Sequence, residues 1–184
     1  DRFLDRYAGP IISDTAVAIV ELVANAWDAY ATRVDIIWPK RTEKIVFTIK
    51  DNGKGMTREQ FQRRWKTLDY NRAIDEGSKS TPPDDLSDAP ARHAYGRNGK
   101  GRHAAFRFSD PYQVRTWRDG TEVTYEVRRG TTQPFDVKEI ASRVKVQGHG
   151  TEITATASDG VSLDAEAVRE VLGTRFLADP NFVV

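Results

Sequence analysis

Three short stretches of this sequence carry residue types whose spacing allows chemistry. Between Thr15 and Ala31 the strongly polar residues are Glu21, Asn25 and Asp28. On a helix, at about 100° per residue, they fall within roughly 60° of one another and form one polar stripe on an apolar rod. A buried carboxylate without partners is costly, so the stripe must face solvent, a cation or a polar ligand. The second stretch, Asp51-Asn52-Gly53-Lys54-Gly55-Met56, follows a strand pattern. Alone it reads as an Asn-Gly turn. As a site, its glycines would let backbone approach a ligand while the carboxylate reads an exocyclic amine. Such a carboxylate accepts adenine and rejects guanine, which presents a carbonyl there. The third, Gly96-Arg97-Asn98-Gly99-Lys100-Gly101, stands before a helix pattern with Arg92, Arg102 and Arg107 nearby. Amides at a helix start, the helix dipole and basic side chains all favour an anion such as phosphate. The spacing fits neither the Walker A loop nor the dinucleotide fingerprint.

The elements that must position these residues are legible in outline. Ser13 and Asp14 are helix caps ahead of an apolar helix over 15–31. Arg33–Trp38 and Lys44–Lys50 read as two strands, and Phe61, Trp65 and Leu68 mark an amphipathic helix starting near Thr57, whose charged back reads as a solvated face. Residues 70–95 carry Asp, Ser, Pro and Gly without periodicity, the composition of a lid or a disordered loop. A short helix over Arg102–Phe108 follows, then strands over Tyr112–Arg118, Glu122–Arg129, Arg143–Gln147 and Glu152–Ala157, with Asp119-Gly120 as a hairpin signal. A last helix runs from about Asp164 to Leu177. The three histidines, His93, His103 and His149, lack the clustering of a metal site and read as surface or hydrogen-bonded loop residues.

Composition narrows the class. The chain has 184 residues, the size of one domain. Its 28 Lys and Arg nearly cancel 27 Asp and Glu, so net charge gives no support to a dedicated nucleic-acid binder. Absence of cysteine excludes a disulfide framework, a thiol nucleophile and cysteine-ligated zinc. The longest apolar run, Thr15–Ala26, is too short for a membrane span and is broken by Glu21 and Asn25. A cytoplasmic protein without membrane contact is the expectation. The one methionine is Met56, which suggests a fragment of a longer protein.

In this order, Glu21-Leu22-Val23-Ala24-Asn25-Ala26-Trp27-Asp28-Ala29, the Asp-x-Gly-x-Gly at 51–55, the glycine loop at 96–101 and Gly150-Thr151-Glu152-Ile153 resemble the four nucleotide-binding motifs of the GHKL superfamily, which comprises gyrase B, heat-shock chaperone, histidine kinase and MutL ATPases. The resemblance covers about residues 14–157. It implies a Bergerat fold, a two-layer α/β sandwich with a mixed β-sheet on one side, helices on the other and ATP under a mobile lid. It implies one domain over 1–184, with an N-terminal strap at 1–13 and the lid at 70–95. Carried over by position, Asn25 resembles the Mg²⁺ ligand and Glu21 the general base for the attacking water. Asp51 resembles the adenine reader, with Gly53, Gly55 and Thr151 beside it and Met56 packed on the base. Gly96, Arg97, Asn98, Gly99, Lys100 and Gly101 resemble the phosphate loop. Asp28 matches the helix motif as a supporting residue for Asn25 or the adenine pocket.

The cofactors implied are ATP and Mg²⁺, and the partners an ATP-dependent homodimer, further domains of the same protein and, through those, nucleic acid. Glu21 favours hydrolysis over transfer to histidine, because histidine kinases generally lack that glutamate. The leading expectation is therefore a Mg-dependent ATPase module that drives a conformational or dimerisation switch. The alternatives are a nucleotide-binding regulatory module without significant hydrolysis and a histidine-kinase-like domain. Hydrolysing members commonly complete the site with a lysine from a following domain, so hydrolysis by this chain alone is expected to be weak.

Overall fold

The computed structural model describes residues 9, 13–37, 46–66, 77–96, 99–131, 133–156, 164–176 and 179–184. The expected strap at 1–13 falls almost wholly outside the described residues, as do 70–76 of the expected lid and Leu68.

Helix α1 spans Thr15–Asp28. Asp14 caps it, its Oδ1 accepting from the Val17 amide at 3.0 Å. Ala18, Ile19, Val20, Leu22, Val23, Ala24 and Ala26 are all buried, so the helix lies inside the molecule and only its polar stripe needs an outlet. It stops because Tyr30 turns left-handed at φ 61°, and the Ala31 amide closes back on the Ala26 carbonyl at 3.0 Å. Helix α2, Arg58–Lys66, begins with a reciprocal box. The Thr57 amide donates to Gln60 Oε1 at 3.0 Å and the Gln60 amide to Thr57 Oγ1 at 3.3 Å. Its buried Phe61 stacks on Tyr125 with ring centroids 3.8 Å apart. Helix α3, Ala165–Phe176, buries Val168, Leu172 and Phe176, and Phe176 packs on Trp27 at the end of α1.

Six strands form the main sheet in the order β1-β2-β8-β5-β6-β7: Val34–Ile37 (β1), Val46–Asp51 (β2), Gly150–Thr156 (β8), Tyr112–Arg118 (β5), Thr121–Arg129 (β6) and Phe135–Val144 (β7). Alternate residues Phe47 and Ile49 on β2, and Ile153 and Ala155 on β8, are buried beneath the helical layer. On the opposite face Arg115 pairs with Glu122 at 2.9 Å and with Glu152 at 2.7 Å. The two-layer α/β sandwich is as expected. The mixed sheet is not: among the described residues every ladder is antiparallel, and parallel pairing is confined to an isolated bridge between Arg33 and Val183. The long excursion after β2 does return the chain to a parallel strand, β5, but β8 inserts between the two and pairs antiparallel with both.

Three elements differ from the sequence reading. The strand expected at 143–147 is β7, Phe135–Val144. It is an edge strand exposed along nearly its whole length, so it has no apolar alternation to betray it. The segment before Phe108 is a 3₁₀ helix, Lys100–Arg107, one or two residues ahead of the expected helix. Within the expected lid, residues 77–95 hold a two-stranded hairpin, β3 (Lys79–Ser80) and β4 (Arg92–His93), around a 3₁₀ turn at Asp84–Leu86.

Candidate functional site

Asp51 ends β2 in register with Thr151 at the start of β8, so both stand at one corner of the sheet, beside the C-terminal end of α1. Asp51 Oδ1 accepts from the Gly53 amide at 2.8 Å, and its carboxyl also accepts from the Thr151 amide. Burial outweighs these hydrogen bonds and pushes the carboxyl up to about 7. The turn after it is fixed by close approach: the Lys54 amide donates to the Ala29 carbonyl at 2.8 Å, and Gly53 leaves no room for a Cβ against Ala29. Gly55 is required twice over, by φ +62° and because a Cβ there would overlap the Trp117 carbonyl. The Met56 amide donates to Thr116 Oγ1 at 2.8 Å, which holds the buried Met56 side chain beneath the corner.

A cavity of about 280 Å³ opens between this corner, α1, α2 and the 95–102 segment. Glu21, Asn25 and Asp28 line it along α1, so the polar stripe has its outlet here and not in bulk solvent. Asp51, Gly55, Met56 and Thr151 line the sheet end, and Gly96, Gly99, Lys100 and Gly101 line the opposite wall. A Cβ on Gly101 would run into the Glu21 carboxylate, so the glycine wall and Glu21 touch. Burial raises the Glu21 carboxyl above its ordinary value; Arg175 pulls it down and Asp28 adds to the rise. Gly53 lies behind the wall as the donor to Asp51. Arg97 and Asn98 lie outside the described residues.

Asp28 lines the cavity and also has a task that the sequence did not announce. Its two carboxylate oxygens accept from the Tyr95 amide at 2.6 Å and the Gly96 amide at 2.8 Å. It therefore fastens the start of the glycine loop to α1. Of the basic residues flanking that loop, Arg102 lines the cavity and donates to the Gly99 carbonyl. Arg92 and Arg107 are not among the residues that line the cavity. The Arg92 guanidinium sits 4.1 Å from the Trp27 ring and 4.5 Å from Tyr30, donating to the Trp27 and Ala31 carbonyls at the end of α1. Arg107 donates to Thr15 Oγ1 at 3.1 Å. His93 is exposed and His149 is a hydrogen-bonded loop residue, as expected, but His103 is not. Its ring is wholly buried, stacked 3.8 Å from Phe135, and turned away from the cavity.

Sequence reasoning missed part of the lining. Ile49 and Ile153 face the cavity two residues before Asp51 and two after Thr151, which the period of two along paired strands would have found. Arg64 and Trp65 also line it, so the back of α2 is not uniformly solvated. Tyr95, immediately before the glycine loop, carried no motif signal.

Among the described residues no cluster of three or more His, Asp or Glu side chains could hold a metal by itself. Asn25 lines the cavity, and one amide oxygen from the protein would suit Mg²⁺, which keeps most of its octahedral shell as water and phosphate oxygens. No described helix is long and apolar enough to cross a membrane.

Residues 12–158 match the model of the histidine kinase-, DNA gyrase B- and HSP90-like ATPase family. The chain belongs to that family. Membership makes it an ATP-binding module, and the antiparallel sheet under a helical layer is consistent with the Bergerat fold. The chain is also similar to a putative type II restriction enzyme, HgiDII, of Herpetosiphon aurantiacus, 32% identical over 111 residues. That alignment covers 60% of this chain and 16% of the relative, so the chain corresponds to a small part of that protein.

Proposed function

We propose that this ATPase-family module binds Mg-ATP in the cavity and hydrolyses it, and that closure around the nucleotide drives a conformational or dimerisation switch in a larger protein. The observation that carries the reading is the contact between Glu21 and Gly101. It sets a carboxylate against the backbone that would hold the terminal phosphates, where an attacking water has to stand. The adenine amine would meet Asp51, and Gly55, Met56, Thr151 and the Ile49–Ile153 pair would enclose the base. Gly96, Gly99, Lys100 and Gly101 would receive the phosphates through backbone amides and one ammonium, with Arg97 and Asn98 completing the loop.

Asn25 would hold Mg²⁺, which when bound offsets charge on the β- and γ-phosphates. Glu21, four residues earlier on the same face, orients the attacking water and takes its proton. Its burial supports that role, because a base whose affinity for protons is raised toward neutrality accepts one more readily. ADP and phosphate are the products. The similarity to a putative restriction enzyme favours a parent that reaches DNA through other domains. Glu21→Ala tests the assignment: MgATP affinity is retained while turnover falls about 10²- to 10⁴-fold. A module that holds nucleotide without hydrolysing it would keep both its affinity and its negligible turnover, and a histidine-kinase-like domain would yield phosphoprotein instead of free phosphate.

A further inference from the structure

His149 precedes Gly150-Thr151 and reaches two different parts of the molecule. Its Nδ1 is 2.6 Å from the Gly53 carbonyl oxygen, and its Nε2 is 3.0 Å from Asp85 Oδ1. Both partners are acceptors: a carbonyl has no proton to give, and neither has an ionised carboxylate. A neutral imidazole carries one N–H and would turn a lone pair on one of them, whereas an imidazolium donates to both.

The two acceptors belong to elements with separate roles. Gly53 is in the turn whose amide holds Asp51. Asp85 is in the 3₁₀ turn at the tip of the lid hairpin. The base of that hairpin is fixed to the end of α1, where Ser80 Oγ donates to the Asp28 carbonyl at 2.7 Å and Trp27 Nε1 to the His93 carbonyl at 2.8 Å. Its tip meets the base-pocket turn through His149 and through Lys54, whose ammonium donates to Thr81 Oγ1 at 2.6 Å. The charged groups that act on the ring are Asp85 from the lid turn and Asp51 from β2, and the Asn52 backbone lies beside the Gly53 carbonyl as a further acceptor. Partial burial alone would pull the imidazole down, but the Asp85 carboxylate and the Gly53 carbonyl outweigh it and the net shift is upward.

We propose that His149 is a positioning residue that couples the base pocket to the lid: as an imidazolium it clamps the Asp84–Leu86 turn onto the Gly53 turn, and on losing its proton it lets one of them go. Clamping is thus present below the titration midpoint of the ring and is lost as pH rises through it. The lid part of this inference stands on geometry alone; its effect on nucleotide rests on the reading of Asp51 as the base reader.

The test uses the nucleotide-free chain. His149, assigned by its absence in His149→Gln, is titrated by ring ¹³C NMR in wild type and in Asp85→Asn, a change at an exposed position. Hydrogen-exchange protection factors are measured between pH 6 and 8 at the Leu86 and Ala89 amides, which bond to the Pro83 and Leu86 carbonyls in the lid turn. The expected result is a His149 midpoint lower by about half a unit in Asp85→Asn. Protection should fall about threefold across this range in wild type and stay low and flat in both variants. An unmoved midpoint, or lid protection in Asp85→Asn that follows wild type, would overturn the proposal. With ATP added, dissociation should quicken with pH in wild type and not in Asp85→Asn. Failure to bind ATP at all would count against the base-reader assignment and leave the protection result to decide the clamp.

Discussion

Replacing Asp51 with Asn separates the cost of the buried carboxylate from its use. In the unfolded chain the group ionises near 3.8; in the folded chain burial holds it protonated to about 7. Across that window the native state binds a proton that the unfolded state has released, so stability falls as pH rises and the full cost is present above about pH 7. Three pH units at about 1.4 kcal/mol each give up to about 4 kcal/mol. Asn has nearly the same shape, its Oδ1 can still accept from the Gly53 amide, and it has no proton to lose. The stability of Asp51→Asn minus wild type should therefore grow by about 3 kcal/mol between pH 4.5 and 7.5, whatever constant offset the loss of one acceptor adds. Other titrating groups are common to both proteins and cancel in the difference. Urea unfolding at each pH, followed by tryptophan fluorescence, reads it, and the gap between the two thermal midpoints should change by about 6–12 °C across that range. The same variant should lose ATP, because the carboxylate proposed to accept the adenine amine is gone. A difference that stays flat with pH would refute the argument, since the ionised carboxylate would then carry no folding cost.

Three further substitutions probe the corner and its supports. Gly55→Ala should destabilise the chain by at least about 2 kcal/mol in urea unfolding, since φ +62° and the Trp117 carbonyl both oppose a Cβ. Asp28→Asn leaves one acceptor for two amides, so it should cost about 1–3 kcal/mol and raise amide exchange at Tyr95 and Gly96, while the helical circular dichroism of the chain is kept. His103→Phe should raise stability by about 1 kcal/mol at pH 7, because among the described residues neither ring nitrogen has a hydrogen-bond partner. Burial, and then Arg102, hold that imidazole well below its ordinary 6.5, so wild type also loses stability as pH falls below about 6.5, a slope that the variant should lack.

Much of the site was legible because its chemistry is local in sequence. The stripe Glu21, Asn25, Asp28 follows from helical period alone, and the Asp51 turn and the glycine loop announce themselves by glycine spacing. What escaped depends on contacts between distant segments. Whether Asp28 would support a ligand or fasten a loop turns on where the Tyr95 and Gly96 amides lie, 67 and 68 residues away. Arg92 was drawn toward phosphate by proximity in sequence to the loop, yet an aromatic cage from Trp27 and Tyr30 holds it elsewhere. Strand β7 was misplaced because an exposed edge has no buried face, and the antiparallel character of the sheet depends on β8 entering between two earlier strands.

The central claim, that Asp51 and the glycine wall form one adenine nucleotide site, is tested most directly by calorimetric titration of this chain. ATP and GTP are compared, each with and without Mg²⁺, in wild type and Asp51→Asn. Binding that is selective for ATP, strengthened by Mg²⁺ and lost in the variant is the predicted result. Equal binding of ATP and GTP, or ATP binding that survives loss of the carboxylate, would contradict it.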